Sequence, residues 1–314
     1  MKRKKLLYIG NALWHKGMTP TTIHTLSQNL RDIGFQVSVA SRYRSKPLRL
    51  LDMLWSVFTH RNKVDAVLID TYSTTNFWYA VMVAKLCRIF NIAYYPILHG
   101  GELPKRLVNS PKLSRSLFGN AQSSIAPSTY LMHAFAKASL QGSQPQGGYS
   151  DIPQFDNLIH IPNSIPLANY PFKKRSDLRP KFLWVRAFAE IYNPMLALRV
   201  FAKITKEYPE AQLCMVGPKK DKSFDKCKAY ATTHKLDVKF TGRLSKREWV
   251  TLSRDYDIFL NTTQVDNTPV SLIEAMALGL PIVTTDVGGI PYLVEDQKQA
   301  LLVPSDGLEE MVAA

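Results

Sequence analysis

The chain has 314 residues, of which 46% are hydrophobic and 21% are charged. This length accommodates two domains with full cores, and the composition is typical of a soluble globular protein. The net charge of +15 is concentrated in residues 1–170, which hold 19 Lys/Arg and 7 Asp/Glu, and it favours anionic partners such as phospholipid, lipid diphosphate or nucleic acid.

The three cysteines are scattered and form no C-x-x-C pair, which argues against a disulfide framework or a zinc site. No run reaches the ~18 apolar residues that a membrane span requires. The basic amino end, MKRKKLLYIG, lacks the apolar region and the cleavage site of a signal peptide. We therefore expect a cytoplasmic protein, with the inner face of the plasma membrane as an alternative location.

Strands alternate with helices along the first half. The predicted strands are Lys5–Ile9, Gln36–Ala40, Asp65–Ile69 and Ala93–Leu98. This alternation predicts a parallel sheet covered on both faces, in which ligands bind beyond the carboxyl ends of the strands.

The loop after the first strand contains Gly10 and Gly17 but lacks the G-x-G-x-x-G spacing of a dinucleotide fingerprint. Gly17 has two interpretations of equal weight. Its backbone could lie close to a diphosphate or a donor sugar, or the turn could simply require glycine. For Gly10 we favour the second interpretation, a turn that simply requires glycine.

Residues 46–63 form a basic amphipathic segment that contains Trp55. Such a helix can lie in a membrane interface. Every helix that covers a sheet is amphipathic as well, so we favour a crossover helix packed on the sheet. A peripheral contact with anionic membrane stays open as the alternative.

His99 directly follows the fourth predicted strand and precedes Gly100 and Gly101. This position lies at the edge of the sheet where ligands bind. Histidine can donate or accept a hydrogen bond near neutral pH, and the two glycines let a ligand approach the backbone.

A domain boundary is predicted at residues 169–180, which are rich in proline and carry a Lys-Lys-Arg run. The first domain would comprise residues 1–168 and the second residues 181–314. The second begins with the predicted strand Lys181–Val185, which ends at Arg186. The planar fork of an arginine suits a phosphate, because it donates two parallel hydrogen bonds.

The stretch VDNTPVSLIEAMALGLPIVTTDVGGIP, residues 265–291, holds the most informative pattern. Thr268 as N-cap and Pro269 at the first helical position predict a helix start beside Asp266. The unpaired amides of a helix start attract phosphate. Glu274 lies in the second turn, where a carboxylate could accept hydrogen bonds from ribose hydroxyls. The pattern suits a sugar nucleotide.

This stretch resembles the donor-site signature of the retaining family 4 glycosyltransferases of the GT-B fold. Asp266 and Glu274 have the spacing of that signature, with Asp where the family usually has Glu. The run EAMALGLP and the later GGIP complete it. The resemblance is specific from Lys181 to Pro304 and looser before that. Relatives continue with helices beyond the position of Ala314, so we expect a truncated or minimal member.

The resemblance implies two doubly wound, Rossmann-like α/β domains that face each other across a cleft. It implies transfer of a hexose-type sugar from a nucleoside diphosphate to a glycan or lipid-linked acceptor, with retention of configuration, in surface polysaccharide biosynthesis. No metal or cofactor is expected, because protein groups stabilise the leaving diphosphate. No nucleic-acid partner is expected either, since no recognition motif is present.

The resemblance also implies residue roles. The catalytic candidates are His99, Asp266 and Arg186, and the donor-binding candidates are Glu274, Asn267, Thr268, Pro269, Val270, Gly17 and Gly217. Arg186 would clamp the diphosphate, Asp266 and His99 would contact sugar hydroxyls, and Gly217 would lie near the base. Asn193 stands where the family has a second cation, for which Lys219 is the other candidate.

Two alternatives stay open. A non-catalytic subunit that binds a nucleotide sugar or a partner protein would fit Asp266, the missing lysine and the short carboxyl end. A sugar-nucleotide epimerase or hydrolase would need a second set of acids or bases, which the sequence does not reveal.

Overall fold

The computed structural model describes residues 4–12, 22–136 and 153–314. The chain divides into two compact units, Met1–Pro162 and Asn163–Ala314. Each unit contains one six-stranded sheet within the described residues, and every strand pair in both sheets is parallel. The predicted fold class, with two doubly wound α/β units, is confirmed.

The first unit alternates strands and helices in the order of the chain. Its strands are β1 (Lys5–Ile9), β2 (Gln36–Ala40), β3 (Ala66–Thr71), β4 (Ala93–Leu98), β5 (Ser124–Ala126) and β6 (Leu158–His160). Its helices are α1 (Thr22–Asp32), α2 (Lys46–His60), α3 (Thr75–Ile89), α4 (Pro104–Asn109), α5 (Pro111–Phe118) and α6 (Thr129–Phe135). The strand order is β2-β1-β3-β4-β5-β6, so the order reverses between β1 and β3.

The second unit repeats this plan. Its strands are β7 (Lys181–Val185), β8 (Gln212–Val216), β9 (Val238–Gly242), β10 (Ile258–Asn261), β11 (Ile282–Thr285) and β12 (Leu301–Val303). Its helices are α7 (Pro194–Glu207), α8 (Ser223–Thr233), α9 (Lys246–Leu252), α10 (Val270–Ala277) and α11 (Leu308–Ala313). The order β12-β11-β10-β7-β8-β9 reverses between β7 and β10.

The central strands are mostly apolar because helices cover both faces of each sheet. All six residues of β3 are buried, and the first unit carries one apolar cluster on each side of its sheet. The second unit has the same arrangement, with Trp184 and Phe259 on opposite sides. Ligands of such sheets bind outside the carboxyl ends of the strands, at the point where the strand order reverses.

Residues 169–180, the predicted linker, pack against the second unit. Tyr170 is buried, and the Lys173 amide donates to the Leu278 carbonyl at 3.2 Å. The Arg175 guanidinium donates to three carbonyls of the unit, including that of Leu278 at 2.8 Å. The last turn of the segment is fixed by Asp257, which accepts from the Arg179 side chain at 2.7 Å.

Candidate active site

Arg186 and Asp266 contact each other where the strand order of the second unit reverses. Arg186 directly follows β7, and Asp266 lies in the loop between β10 and α10. The guanidinium Nη2 donates to the Asp266 carboxylate, and Nε lies 3.4 Å from the Asn261 side-chain oxygen. The ring of Tyr192 lies under the guanidinium at 4.9 Å. The structure thus brings together two of the predicted site residues at a position where ligands bind in this architecture.

The helix start differs from the prediction in one detail. The helix α10 begins at Val270 with Pro269 as its N-cap residue, and no side-chain capping bond is present. Thr268 is therefore not the N-cap, because Pro269 takes an extended conformation instead of the first helical position. Proline has no N–H, so Val270 and Ser271 supply the first amides of the helix.

Ser271 is a residue that the sequence analysis missed. It lies in the first turn of α10 and is only 8% exposed. Its hydroxyl has no hydrogen-bond partner within the part of the chain that the structure describes. A buried hydroxyl without a partner is uncommon and requires an explanation, and a ligand oxygen at the helix start would supply one.

Two glycines fix the loop that carries Asp266. A Cβ at Gly288 would lie 2.2 Å from the Asp266 carbonyl oxygen, and one at Gly289 would lie 1.7 Å from that of Asn267. The Gly289 amide also donates to the Asp266 carbonyl at 3.0 Å. Only glycine allows this approach of two backbones. The GG of the motif thus holds Asp266 and Asn267 in position.

Glu274 is buried inside the unit. Its side-chain oxygen Oε1 accepts a hydrogen bond from the Tyr170 hydroxyl at 2.7 Å and pairs with the ammonium group of Lys246. Burial and the neighbouring carboxylate raise the pKa of Tyr170, so its hydroxyl stays a donor at neutral pH. Both contacts use Oε1, which leaves Oε2 for a further donor. Neither partner was predicted, since both lie far from Glu274 in sequence.

Gly217 lies against the backbone that presents Arg186. A Cβ at Gly217 would come within 1.7 Å of the Arg186 carbonyl oxygen. The Gly217 amide donates to the Gly242 carbonyl at 2.8 Å. The glycine is thus explained by close packing of the ends of β7, β8 and β9. That Gly217 lies near the base of the donor nucleotide stays a prediction.

Neither candidate for the second cation is directed at Arg186. Asn193 is the N-cap of α7, where its side chain accepts from the Leu196 amide at 3.3 Å and donates to Asp306 at 2.6 Å. Lys219 pairs with Asp225 at 2.6 Å. Of the three residues considered for the diphosphate clamp, Arg186 is the one that contacts Asp266.

His99 belongs to a buried polar cluster at the strand ends of the first unit. Its Nε2 lies 2.8 Å from Oδ1 of Asp70, which also accepts from the Tyr8 hydroxyl at 2.8 Å. The His99 ring stacks on Tyr72 with ring centroids 4.7 Å apart. Burial, followed by the charge of Asp70, raises the pKa of both tyrosines, so they stay neutral donors.

Asp70 was missed in the sequence, although an acid after four buried apolar residues is a usable signal. It ends the run AVLID in β3, beside the point where the strand order reverses. A Cβ at Gly10 would lie 2.4 Å from its carboxylate, so close approach of the Asp70 side chain accounts for this glycine. Gly17, the remaining donor-binding candidate, lies outside the described residues.

Comparisons with known proteins point to a family and a fold. The family model described as Glycosyl transferases group 1 matches residues 169–314. An uncharacterized glycosyltransferase of Haemophilus influenzae is 32% identical over 159 residues, which cover 50% of this chain and 44% of that protein. The phosphatidyl-myo-inositol mannosyltransferase of Mycobacterium tuberculosis is 24% identical over 164 residues, which cover 50% and 43%. The chain thus spans about half the length of the curated relatives it matches.

Solved structures match along the whole chain. The Anabaena protein HepE, crystallised in complex with UDP and glucose, aligns with a TM-score of 0.70 and 17% identity. The alignment covers 99% of this chain and 88% of that one. This similarity shows the GT-B fold.

Proposed function

We propose that this chain, whose residues 169–314 match the family model described as Glycosyl transferases group 1, belongs to that family and transfers a hexose-type sugar from a nucleoside diphosphate to an acceptor. The observation that carries the proposal is the contact between Arg186 and Asp266, at the sheet position where ligands bind, in the loop that leads into α10. The Arg186 guanidinium suits a diphosphate, and the Asp266 carboxylate suits sugar hydroxyls.

Arg186 and the first amides of α10 would bind the diphosphate. As the bond from the sugar to the diphosphate breaks, negative charge grows on the leaving oxygen. A guanidinium and a helix N-terminus stabilise that charge without moving, which lowers the barrier. In this proposal no metal or cofactor takes part, because protein groups carry the charge.

The carboxylates would position the sugars. Asp266 would accept hydrogen bonds from donor-sugar hydroxyls, and Oε2 of Glu274 would accept from a ribose hydroxyl. His99 would contact a further sugar hydroxyl, with its ring held by Asp70. We propose retention of the anomeric configuration, in keeping with the signature that the sequence resembles.

We propose a glycan or lipid-linked acceptor in surface polysaccharide biosynthesis. The Mycobacterium relative is named for transfer of mannose to a phosphatidyl-inositol, and the basic first half of this chain suits an anionic acceptor. Among the described residues, no helix is both long and apolar enough to cross a bilayer.

A nucleotide-binding subunit without catalysis is the second candidate. One observation favours it. Asn193 stands where a second cation is expected, but its side chain donates to Asp306 and accepts from the Leu196 amide at the start of α7. On this view the diphosphate would bind, but the charge on the leaving group would be too weakly stabilised for transfer.

One experiment separates the two functions. The purified chain is screened against UDP-, GDP-, ADP- and dTDP-sugars by thermal shift, and the best ligand is then incubated with membrane extract and its products are analysed. A thermal shift followed by a glycosylated product supports the transferase. A shift with no product from any extract supports the silent subunit, and no shift with any donor contradicts both.

A further inference from the structure

The helix α2 has two apolar faces, whereas a helix that only covers a sheet needs one. Met53 and Val57 are buried in the core of the first unit. On the other side, Leu51 is 61% exposed, Trp55 64% and Phe58 40%. A plain crossover helix, the interpretation favoured from the sequence, needs only the face that packs on the sheet, so the second apolar face requires another explanation.

The neighbouring helix α3 extends the exposed apolar surface. Its core-facing residues include Phe77 and Val83, while Met82 and Ile89 are 44% and 62% exposed. The two helices pack together and enclose a shallow groove of about 570 Å³, lined by Leu51, Trp55, Phe58, Met82, Lys85 and Ile89. We call the five apolar residues of this set the α2–α3 patch. Trp55 and Phe58 stack within it at 5.5 Å.

Two cations contact the α2–α3 patch. Lys85 is exposed on α3 and lines the groove. The Arg61 guanidinium lies over the Phe58 ring, 4.2 Å from its centroid. The one acid on the two helices is Asp52. The patch therefore presents apolar side chains next to a rim of positive charge formed by Arg61 and Lys85.

We propose that the α2–α3 patch docks the chain on the surface of a bilayer that contains anionic phospholipid. The apolar side chains would enter the boundary between headgroups and acyl chains, where the amphipathic ring of tryptophan is favoured. The cations would extend to the headgroups, whose negative potential attracts juxtamembrane Lys and Arg. Apolar area and opposite charge thus act together on one surface.

The rim charge disfavours the other occupants. A second copy of this chain would place its own Arg61 and Lys85 opposite the same cations, and like charges in contact oppose association. An acidic protein would satisfy the rim, but a bilayer also accommodates a shallow groove without matching its shape. Since the described residues leave the patch exposed, a partner of this chemistry has access to it.

Vesicle binding tests the proposal without any sugar donor, so its outcome does not depend on the proposed transferase activity. Vesicles of phosphatidylcholine, with and without phosphatidylglycerol, are floated with wild type, with the double variant Trp55→Ser and Phe58→Ser, and with Lys85→Glu. Ile33→Ser, which changes a 72% exposed residue at the end of α1, and Lys206→Glu on α7 are matched controls. Far-UV circular dichroism checks that each variant is folded.

We expect wild type to bind the phosphatidylglycerol vesicles in a salt-sensitive way. The double variant should lose at least about tenfold in the partition coefficient, because two large apolar side chains are removed. Lys85→Glu should lose roughly 25-fold, since it changes two charges and each is worth about fivefold at an anionic surface. The two controls should behave like wild type.

Three outcomes would overturn the proposal. Wild type could stay unbound on both vesicle types, or the patch variants could bind as well as the controls. Sedimentation could also show a dimer that Trp55→Ser abolishes, which would assign the patch to a second copy of the chain.

Discussion

The Arg186 guanidinium donates a hydrogen bond to the Asp266 carboxylate, so each group satisfies the other in this structure. Both side chains are mostly buried, at 14% and 16% exposure, which makes the pair stronger than a surface ion pair. A diphosphate that reaches Arg186 must therefore share the guanidinium with Asp266. Because of this competition, we expect substitutions of the two residues to have opposite effects on diphosphate binding.

Arg186→Ala should weaken nucleoside diphosphate binding by roughly 10- to 100-fold, the usual value of a charge-assisted hydrogen bond. Asp266→Asn should instead keep or tighten that binding by a few fold, because the competing charge is gone, while turnover of the sugar donor falls. Isothermal titration with the diphosphate and with the intact donor measures both effects. Glu295→Gln, at an exposed pair with Lys298, is the control. Weaker diphosphate binding by Asp266→Asn would contradict the competition.

Ser271 gives a second test of the diphosphate site. If its buried hydroxyl serves a ligand, Ser271→Ala should leave the free energy of unfolding unchanged or slightly raised, because no hydrogen bond of the protein is lost. Diphosphate affinity should fall by about three- to tenfold, because the variant loses one neutral hydrogen bond to the ligand. Thermal unfolding with and without diphosphate separates the two quantities. The same ligand-induced shift in wild type and variant would remove Ser271 from the site.

The fold was predictable because its determinants are local. Strands alternate with helices in the sequence, and β1, β2, β4 and β7 have the bounds that were predicted. The strand β3 runs from Ala66 to Thr71, so it extends two residues beyond the predicted end at Ile69.

The candidate site was predictable only where one motif contains it. Asp266, Glu274 and the helix start lie within one stretch of the sequence, and Arg186 follows a strand. The partners that orient these groups are distant in the chain. Tyr170 is separated from Glu274 by 104 residues and Tyr8 from Asp70 by 62, so only the folded topology brings them together.

Asp70 should act on turnover through His99. Asp70→Asn retains an acceptor for Tyr8 but removes the charge that holds the His99 ring, so kcat should fall about tenfold or more. Diphosphate affinity should not change, since the diphosphate groups of the proposed site belong to the second unit. Tyr8→Phe leaves the contact between Asp70 and His99 in place and is the matched control. Equal loss of kcat in both variants would indicate a general disturbance of the cluster.

Asp257 should make the stability of the second unit dependent on pH. Its side chain is 3% exposed and contacts Arg179 at 2.7 Å and Arg175 at 3.7 Å. Burial alone would raise the pKa of this carboxyl, but the hydrogen bonds and the charge of Arg179 outweigh burial and hold its pKa below the usual value. A depressed pKa means that the stabilisation is complete above the ordinary aspartate value of about 3.9 and is lost as the pH falls below it.

Asp257→Asn should therefore lower the free energy of unfolding at neutral pH by about 2 kcal/mol. The loss comes mainly from Arg175, which is 2% exposed and would keep a buried charge without its carboxylate. The half-exposed Arg179 adds little, because water screens it. Urea unfolding between pH 7 and pH 3 tests this, with the exposed Asp177→Asn as control. The difference between wild type and Asp257→Asn should shrink below about pH 4, as the wild-type carboxyl takes up its proton. A constant difference across that range would show that Asp257 stabilises the unit by packing and not by charge.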